Sequence, residues 1–175
     1  TMSVQVQNGV TQQTFSGINI ESNGAVNLQG GTLDTQYVEM LGGTLSGSGT
    51  IMTGSGPIPG QVENRGGTIA PGSGVGTLSI IGRLANDRNG TMAFELGGTT
   101  AGTQYDQITV DGSVALDGTL ALSLVNLGGG TFAPSVGAAF SIITATGDVG
   151  GTFDHVLGPD GYNWKVNYLA NSVQL

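Results

Sequence analysis

The chain has 175 residues, 33 of them glycine, with 9% charged residues and a formal net charge of −8. Its four basic residues are Arg65, Arg83, Arg88 and Lys165, and none lies in the first 64 positions. That excludes a phosphate-backbone grip, which needs clustered Lys and Arg, and disfavours an anionic membrane surface. A hydrophobic content of 38% excludes a disordered polar tail, and no apolar run of about 18 residues crosses a bilayer as a helix.

In chain order the first signal is alternation. Val4 and Val6 alternate with Ser3, Gln5 and Gln7, and Val26 and Leu28 flank Asn27. Both patterns predict half-buried strands, because successive side chains of a strand face opposite ways. One phrase then recurs nine times: Gly, Thr, large apolar. It stands at Gly31-Thr32-Leu33, Gly43-Thr44-Leu45, Gly49-Thr50-Ile51, Gly67-Thr68-Ile69 and Gly76-Thr77-Leu78. It returns at Gly90-Thr91-Met92, Gly118-Thr119-Leu120, Gly130-Thr131-Phe132 and Gly151-Thr152-Phe153. Glycine permits a left-handed corner, the β-branched threonine restarts a strand, and the next side chain points inward. Over residues 1–83 this rhythm predicts the short strands of a β-solenoid, with rungs of about 18–25 residues.

From residue 84 the predicted strands lengthen. Met92, Phe94 and Leu96 alternate with Thr91, Ala93 and Glu95. Val114, Leu116, Leu120, Leu122 and Leu124 form the longest alternation, interrupted by Asp117-Gly118, which reads equally as a hairpin turn or a solenoid corner. Asn86-Asp87-Arg88-Asn89-Gly90 and Gly158-Pro159-Asp160-Gly161 predict turns. Tyr162, Trp164, Val166 and Tyr168 form a last, aromatic alternation. Residues 84–175 are expected either to continue the solenoid or to form a β-sandwich-like cap, since an open end exposes unpaired strand edges.

Residues 43–82 carry more than periodicity. Leu45 to Ile51 read L-x-G-x-G-T-I, followed by Val62-Glu63-Asn64, Gly67-Thr68-Ile69-Ala70-Pro71-Gly72 and Gly76-Thr77-Leu78-Ser79-Ile80-Ile81-Gly82. Phe94-Glu95-Leu96, Tyr105 to Gly112 and Leu116 to Leu120 continue the order. Residues 42–175 thereby resemble the C-terminal passenger region of bacterial autotransporters and related extracellular β-helix proteins. The resemblance implies an all-β, right-handed parallel β-helix with a C-terminal β-rich cap, at the bacterial surface or outside the cell. Gly151-Thr152-Phe153, Tyr162, Trp164 and Tyr168 are similar to the segment that caps such passengers and helps them fold. In autotransporters an outer-membrane barrel adjoins this segment; none is present before Leu175. The family hosts adhesins, toxins, proteases and structural proteins, so it does not fix a function. A chain without cysteine suits export by threading through an oxidising periplasm.

Chemistry is sparse. His155 is the only histidine, and its neighbour Asp154 points to the other face of a strand, so we read it as a surface histidine. One histidine and no cysteine leave zinc without a ligand set. Nucleophile-elbow, phosphate-loop and dinucleotide motifs are absent. Asp106, Asp111 and Asp117 are the nearest analogues of the carboxylates that polysaccharide-cleaving β-helices use as acid and base. Each adjoins a turn or strand end, and the turn role is preferred over calcium, and calcium over catalysis. The shared parity of Tyr162, Trp164 and Tyr168 predicts core packing rather than sugar stacking.

The expectation is therefore a non-enzymatic structural or adhesive module with no catalytic, metal or cofactor residues. Its partners would be copies of itself, other surface proteins or glycans. The rival expectations are a self-assembling filament subunit joined through Ser3–Gln7 and residues 14–20, and, last, a carbohydrate-active enzyme.

Overall fold

The computed structural model describes residues 3–13, 16–54 and 60–175; among them the fold is all-β, with no helix. The strands fall into three parallel ladders that the chain visits in turn. The first ladder takes β1 (Ser3–Gln7), the first halves of β4 (Ala25–Thr35) and β6 (Thr44–Thr53), then β8 (Thr68–Pro71), β11 (Thr91–Leu96), β14 (Thr119–Leu124) and β17 (His155–Leu157). The second takes β2 (Thr11–Gln13), the second halves of β4 and β6, then β9 (Thr77–Ile81), β12 (Gln107–Asp111) and β15 (Ser141–Ala145). The third takes β3 (Ile18–Ile20), β5 (Val38–Met40), β7 (Gln61–Asn64), β10 (Arg83–Asn86), β13 (Val114–Leu116) and β16 (Val149–Gly151). Because β4 and β6 run through the first two ladders, those form one curled sheet; the third is a separate six-stranded sheet. The parallel pairing crosses residue 83 without interruption, since β8 pairs with β11 and β9 with β12.

The Gly-Thr-apolar phrase is the register mark of this arrangement. Thr44, Thr68, Thr91 and Thr119 lie side by side in the first ladder, and the next residues, Leu45, Ile69, Met92 and Leu120, stack inward beside them. All four inward side chains are fully buried. Ile18, Val38, Val62, Leu84, Val114 and Val149 form the matching column of the third ladder. Each fully buried side chain of this size contributes about 1.5–3 kcal/mol relative to exposure, so the columns carry the fold.

Glycine serves two purposes in the phrase. At Gly118 the backbone is left-handed, with φ of +73°. At Gly67 the φ is not of that kind, but a Cβ would meet the Gly42 oxygen at 2.5 Å and the Met40 Cε at 2.7 Å. The open alternative at Asp117-Gly118 resolves as a corner. The strands it joins, β13 and β14, pair with neighbouring turns of the chain and not with each other.

One interior column is polar. Asn64 and Asn86 end β7 and β10 in register, and both are essentially inaccessible. The Asn64 amide nitrogen donates to Asn86 Oδ1 at 2.7 Å, and to the Gly67 and Thr91 carbonyls at 3.1 and 3.2 Å. Asn64 Oδ1 accepts the Gly67 N–H at 2.8 Å. Asn86 in turn donates to the Asp117 carbonyl at 2.7 Å and the Gly90 carbonyl at 3.1 Å. The corner between the third and first ladders bends away from strand pairing, and these amides satisfy the backbone groups it frees.

The C-terminal end changes character. β18 (Asn167–Leu169) and β19 (Ser172–Gln174) pair antiparallel, and β19 lies antiparallel on β15, so the second ladder ends in a reversed strand pair. Phe140 packs edge-on against Tyr105 and Phe132 at ring distances of 5.4 and 6.1 Å and exchanges two backbone hydrogen bonds with Leu175. The expected aromatic strand over Tyr162 to Tyr168 is present only from Asn167 onward; residues 162–166 lie outside any strand.

Candidate functional site

Each candidate carboxylate has a local task. Asp106 precedes β12 and is 1% exposed. Its two oxygens accept the N–H groups of Gly76 (2.8 Å) and Glu95 (2.7 Å), tying the first ladder to the second across a corner. Burial pushes its carboxyl up to about 7, against the pull of those two bonds and with a smaller push from the Glu95 charge. Asp111 accepts the Thr146 hydroxyl at 2.9 Å, and Asp117 accepts the Gly118 N–H at 2.7 Å.

Asp106 and Asp111 stand five residues apart along an extended segment, roughly 16 Å at strand rise, beyond the roughly 5–9.5 Å that glycosidic pairs need. Asp117 sits at a different corner, between β13 and β14. Among the described residues no three His, Asp or Glu side chains gather to hold a metal ion. His155 is exposed on β17.

Two surfaces remain. The first is the outer face of the curled sheet. Thr11, Thr32, Thr50, Ser79, Thr109 and Thr144 follow one another in register along the second ladder, one strand spacing of about 4.8 Å apart. Thr109 donates to Ser79 at 3.0 Å within this row. The third ladder instead shows charge, with Arg65 bridging Glu39 at 3.1 Å and Glu63 at 3.0 Å. The curled sheet thus presents a row of hydroxyls, and the separate third sheet a small ionic network.

The second surface is a cleft of about 550 Å³ at the C-terminal end, lined by Phe140, Tyr162, Asn163, Trp164, Lys165 and Asn167 among others. Here the structure divides the aromatic trio. Tyr168 is structural: its hydroxyl accepts the Phe153 N–H at 3.0 Å and its ring packs on Phe153. Tyr162 and Trp164 stack on each other, centroids 5.6 Å apart with planes tilted by 33°, and Tyr162 is 36% exposed. The expectation of core packing fails at Tyr162 because strand parity does not apply outside a strand. The legible signal was the turn at Gly158-Pro159-Asp160-Gly161 just before it. The buried asparagines are not among the residues predicted from the sequence; their signal is the recurrence of Asn shortly before Gly-Thr, at Asn64 and again at Asn86.

No family model matches the chain. Over 86 residues it is 37% identical to the Adhesin BmaC autotransporter of Brucella suis biovar 1 (strain 1330). The aligned stretch covers 47% of this chain and 2% of that protein. Part of the chain is therefore similar to a small part of an autotransporter adhesin.

Proposed function

We propose that this chain is a non-enzymatic β-solenoid module of an extracellular bacterial surface protein, and that it serves adhesion. The observation that carries the reading is the partial similarity to an autotransporter adhesin. The three ladders visited in turn, with apolar columns inside and hydroxyl rows outside, support the solenoid. Seven strands along the first ladder would rise roughly 29 Å at strand spacing. A scaffold of this kind displays a long, weakly acidic Thr/Ser/Asn surface, and its reversed C-terminal strands close one edge.

The test uses beads coated with the purified module and laid over epithelial monolayers. Saturable retention, competed by free module, is the expected result. Retention no higher than for albumin-coated beads overturns adhesion. Nuclear Overhauser contacts linking the inward side chains Leu45, Ile69, Met92 and Leu120 in that order are expected in parallel; their absence overturns the solenoid.

A second reading, end-to-end assembly, is favoured by one observation. β17 leaves Val156 and Leu157 exposed at one end of the first ladder, and a hollow of about 430 Å³ lined by Val4, Ile18, Ile20 and Val26 opens at the other. The joining edge expected at residues 14–20 falls partly on Thr14 and Phe15, which lie outside the described residues. Concentration-dependent sedimentation would support assembly, and a single monomeric species at high concentration would exclude it.

A further inference from the structure

The C-terminal cleft combines two features that occur together nowhere else in the described residues. Its floor is an aromatic pair, Tyr162 and Trp164, stacked at 5.6 Å. Its rim carries Asn163, Lys165 and Asn167, none of which is committed to a side-chain hydrogen bond or ion pair within the protein. From Tyr162 to Lys165 the sequence alternates ring and polar group. A volume of about 550 Å³ lies in the ordinary range for small-ligand sites, which pair an apolar wall with a few placed polar groups.

We propose that this cleft binds a neutral, hydroxyl-rich disaccharide, one pyranose ring resting its C–H face on the Tyr162–Trp164 pair. Side-chain amides both donate and accept, and the lysine ammonium donates three ways, which suits vicinal hydroxyls. Lys165 is the only charged side chain on the cleft wall, in a chain of net charge −8, so a polyanion gains little there and meets long-range repulsion. Phe140, on the same cleft wall, is held by Tyr105 and Phe132, so that part of the wall is preorganised rather than assembled by the ligand. The proposal deepens the adhesive reading and rests on it for its biological use, not for its chemistry.

Trp164 is the only tryptophan in the chain, so its fluorescence reports the cleft directly. Lactose, cellobiose and N,N′-diacetylchitobiose are titrated separately into the intact chain, each to about 20 mM, a range that brackets millimolar single-site affinity. A saturable spectral change with at least one of them is expected. Tyr162→Ala should weaken that binding about three- to tenfold, the worth of one aromatic stacking contact. Asn163→Ala, at an exposed position, provides a second variant should Tyr162→Ala fold poorly by circular dichroism, and is expected to weaken binding several-fold. Tyr168→Phe keeps the ring and should bind as the parent does. No saturable change with any of the three sugars overturns the proposal, as does undiminished binding by both folded cleft variants. Beads carrying Tyr162→Ala separate the two readings. If the parent binds sugar and variant beads adhere normally, adhesion stands and the cleft is irrelevant to it. If parent beads fail to adhere while the sugar titration succeeds, the adhesive reading falls and the site remains.

Discussion

Residues 25–124 and residues 125–175 are built from similar amino acids and solve different problems. In the first region every turn of the chain must lie on the one before, and the glycines show it. A Cβ at Gly31, Gly43, Gly47, Gly67 or Gly118 would run into the backbone of the preceding turn. In the second region Gly128, Gly129, Gly130, Gly137 and Gly161 have nothing within 4 Å of where a Cβ would sit. The same residue is a packing requirement where the chain stacks, with Gly151 against the Leu116 oxygen as the last such corner, and a loop residue at these five positions. Exposure follows suit: apart from a few edge positions, the ladders bury their large side chains, whereas Leu127, Val136, Leu157 and Leu169 stand open near the end. A stack specifies its interior by repetition, and its end is free to carry a site.

Gly118→Val is the strongest way to break this contrast. It forces a β-branched residue into φ of +73° and drives its Cβ against the Gly90 oxygen, 2.5 Å away. Strain and overlap together should cost about 4 kcal/mol or more, read as loss of the cooperative urea transition. A variant that melts like the parent would mean the corners are not close-packed.

Titration gives the next largest effect. The Asp106 carboxyl, raised from its ordinary 3.8 to about 7, holds a proton in the folded chain that the unfolded chain releases. Stability from this group is therefore full below about pH 4 and is lost as pH rises through about 7, with an upper bound of roughly 4 kcal/mol. The neighbouring groups are Glu95 on β11 and Ser123 on β14, with no basic side chain on the wall of the small cleft they share. Urea midpoints between pH 4 and 8 should fall for the parent. Asp106→Asn should be nearly flat, from a lower starting point because an amide turns one donor toward a backbone N–H. A parent curve that rises across this window would contradict the buried, uncompensated carboxyl.

Asn64→Ala comes third. It leaves Asn86 Oδ1 and the Gly67 N–H without their partner and takes one donor from the Gly67 and Thr91 carbonyls, the former keeping the Thr91 N–H, at a site water does not reach, for roughly 3 kcal/mol. Guanidinium unfolding measures it, and a loss below about 1 kcal/mol would show that water enters the corner.

These residues also mark how far the sequence could be read. The all-β class, most strands and the inward residue of every Gly-Thr-apolar copy in the first ladder were legible, because period-2 alternation and a repeated corner are local signals. The pairing partner of each strand was not, since rung lengths vary: Thr44 lies opposite Thr68, 24 positions on, but Thr91 lies opposite Thr119, 28 on. The task of Asp106 was hidden as well, because its two donors come from Gly76 and Glu95, 30 and 11 positions away. The cleft is not legible in the sequence because alternation predicts a shared face only in a strand, and residues 162–166 lie outside one.

The smallest effect tests the other side of the comparison. Gly129→Ala adds a methyl where nothing lies within 4 Å and where φ is not in the left-handed region. No contact is gained or lost in the folded chain, so only the unfolded ensemble changes. Alanine restricts it, and the expected outcome is a gain of about 0.5 kcal/mol, visible as a slightly higher melting temperature. The same substitution at Gly67, also outside the left-handed region, should destabilise, because the methyl meets Met40 and the Gly42 oxygen. Neither site is in the left-handed region, so opposite signs point to stacking as the cause. Equal signs would mean that glycine is used throughout for chain flexibility, and the division between a close-packed body and a permissive end would have to be drawn on other residues.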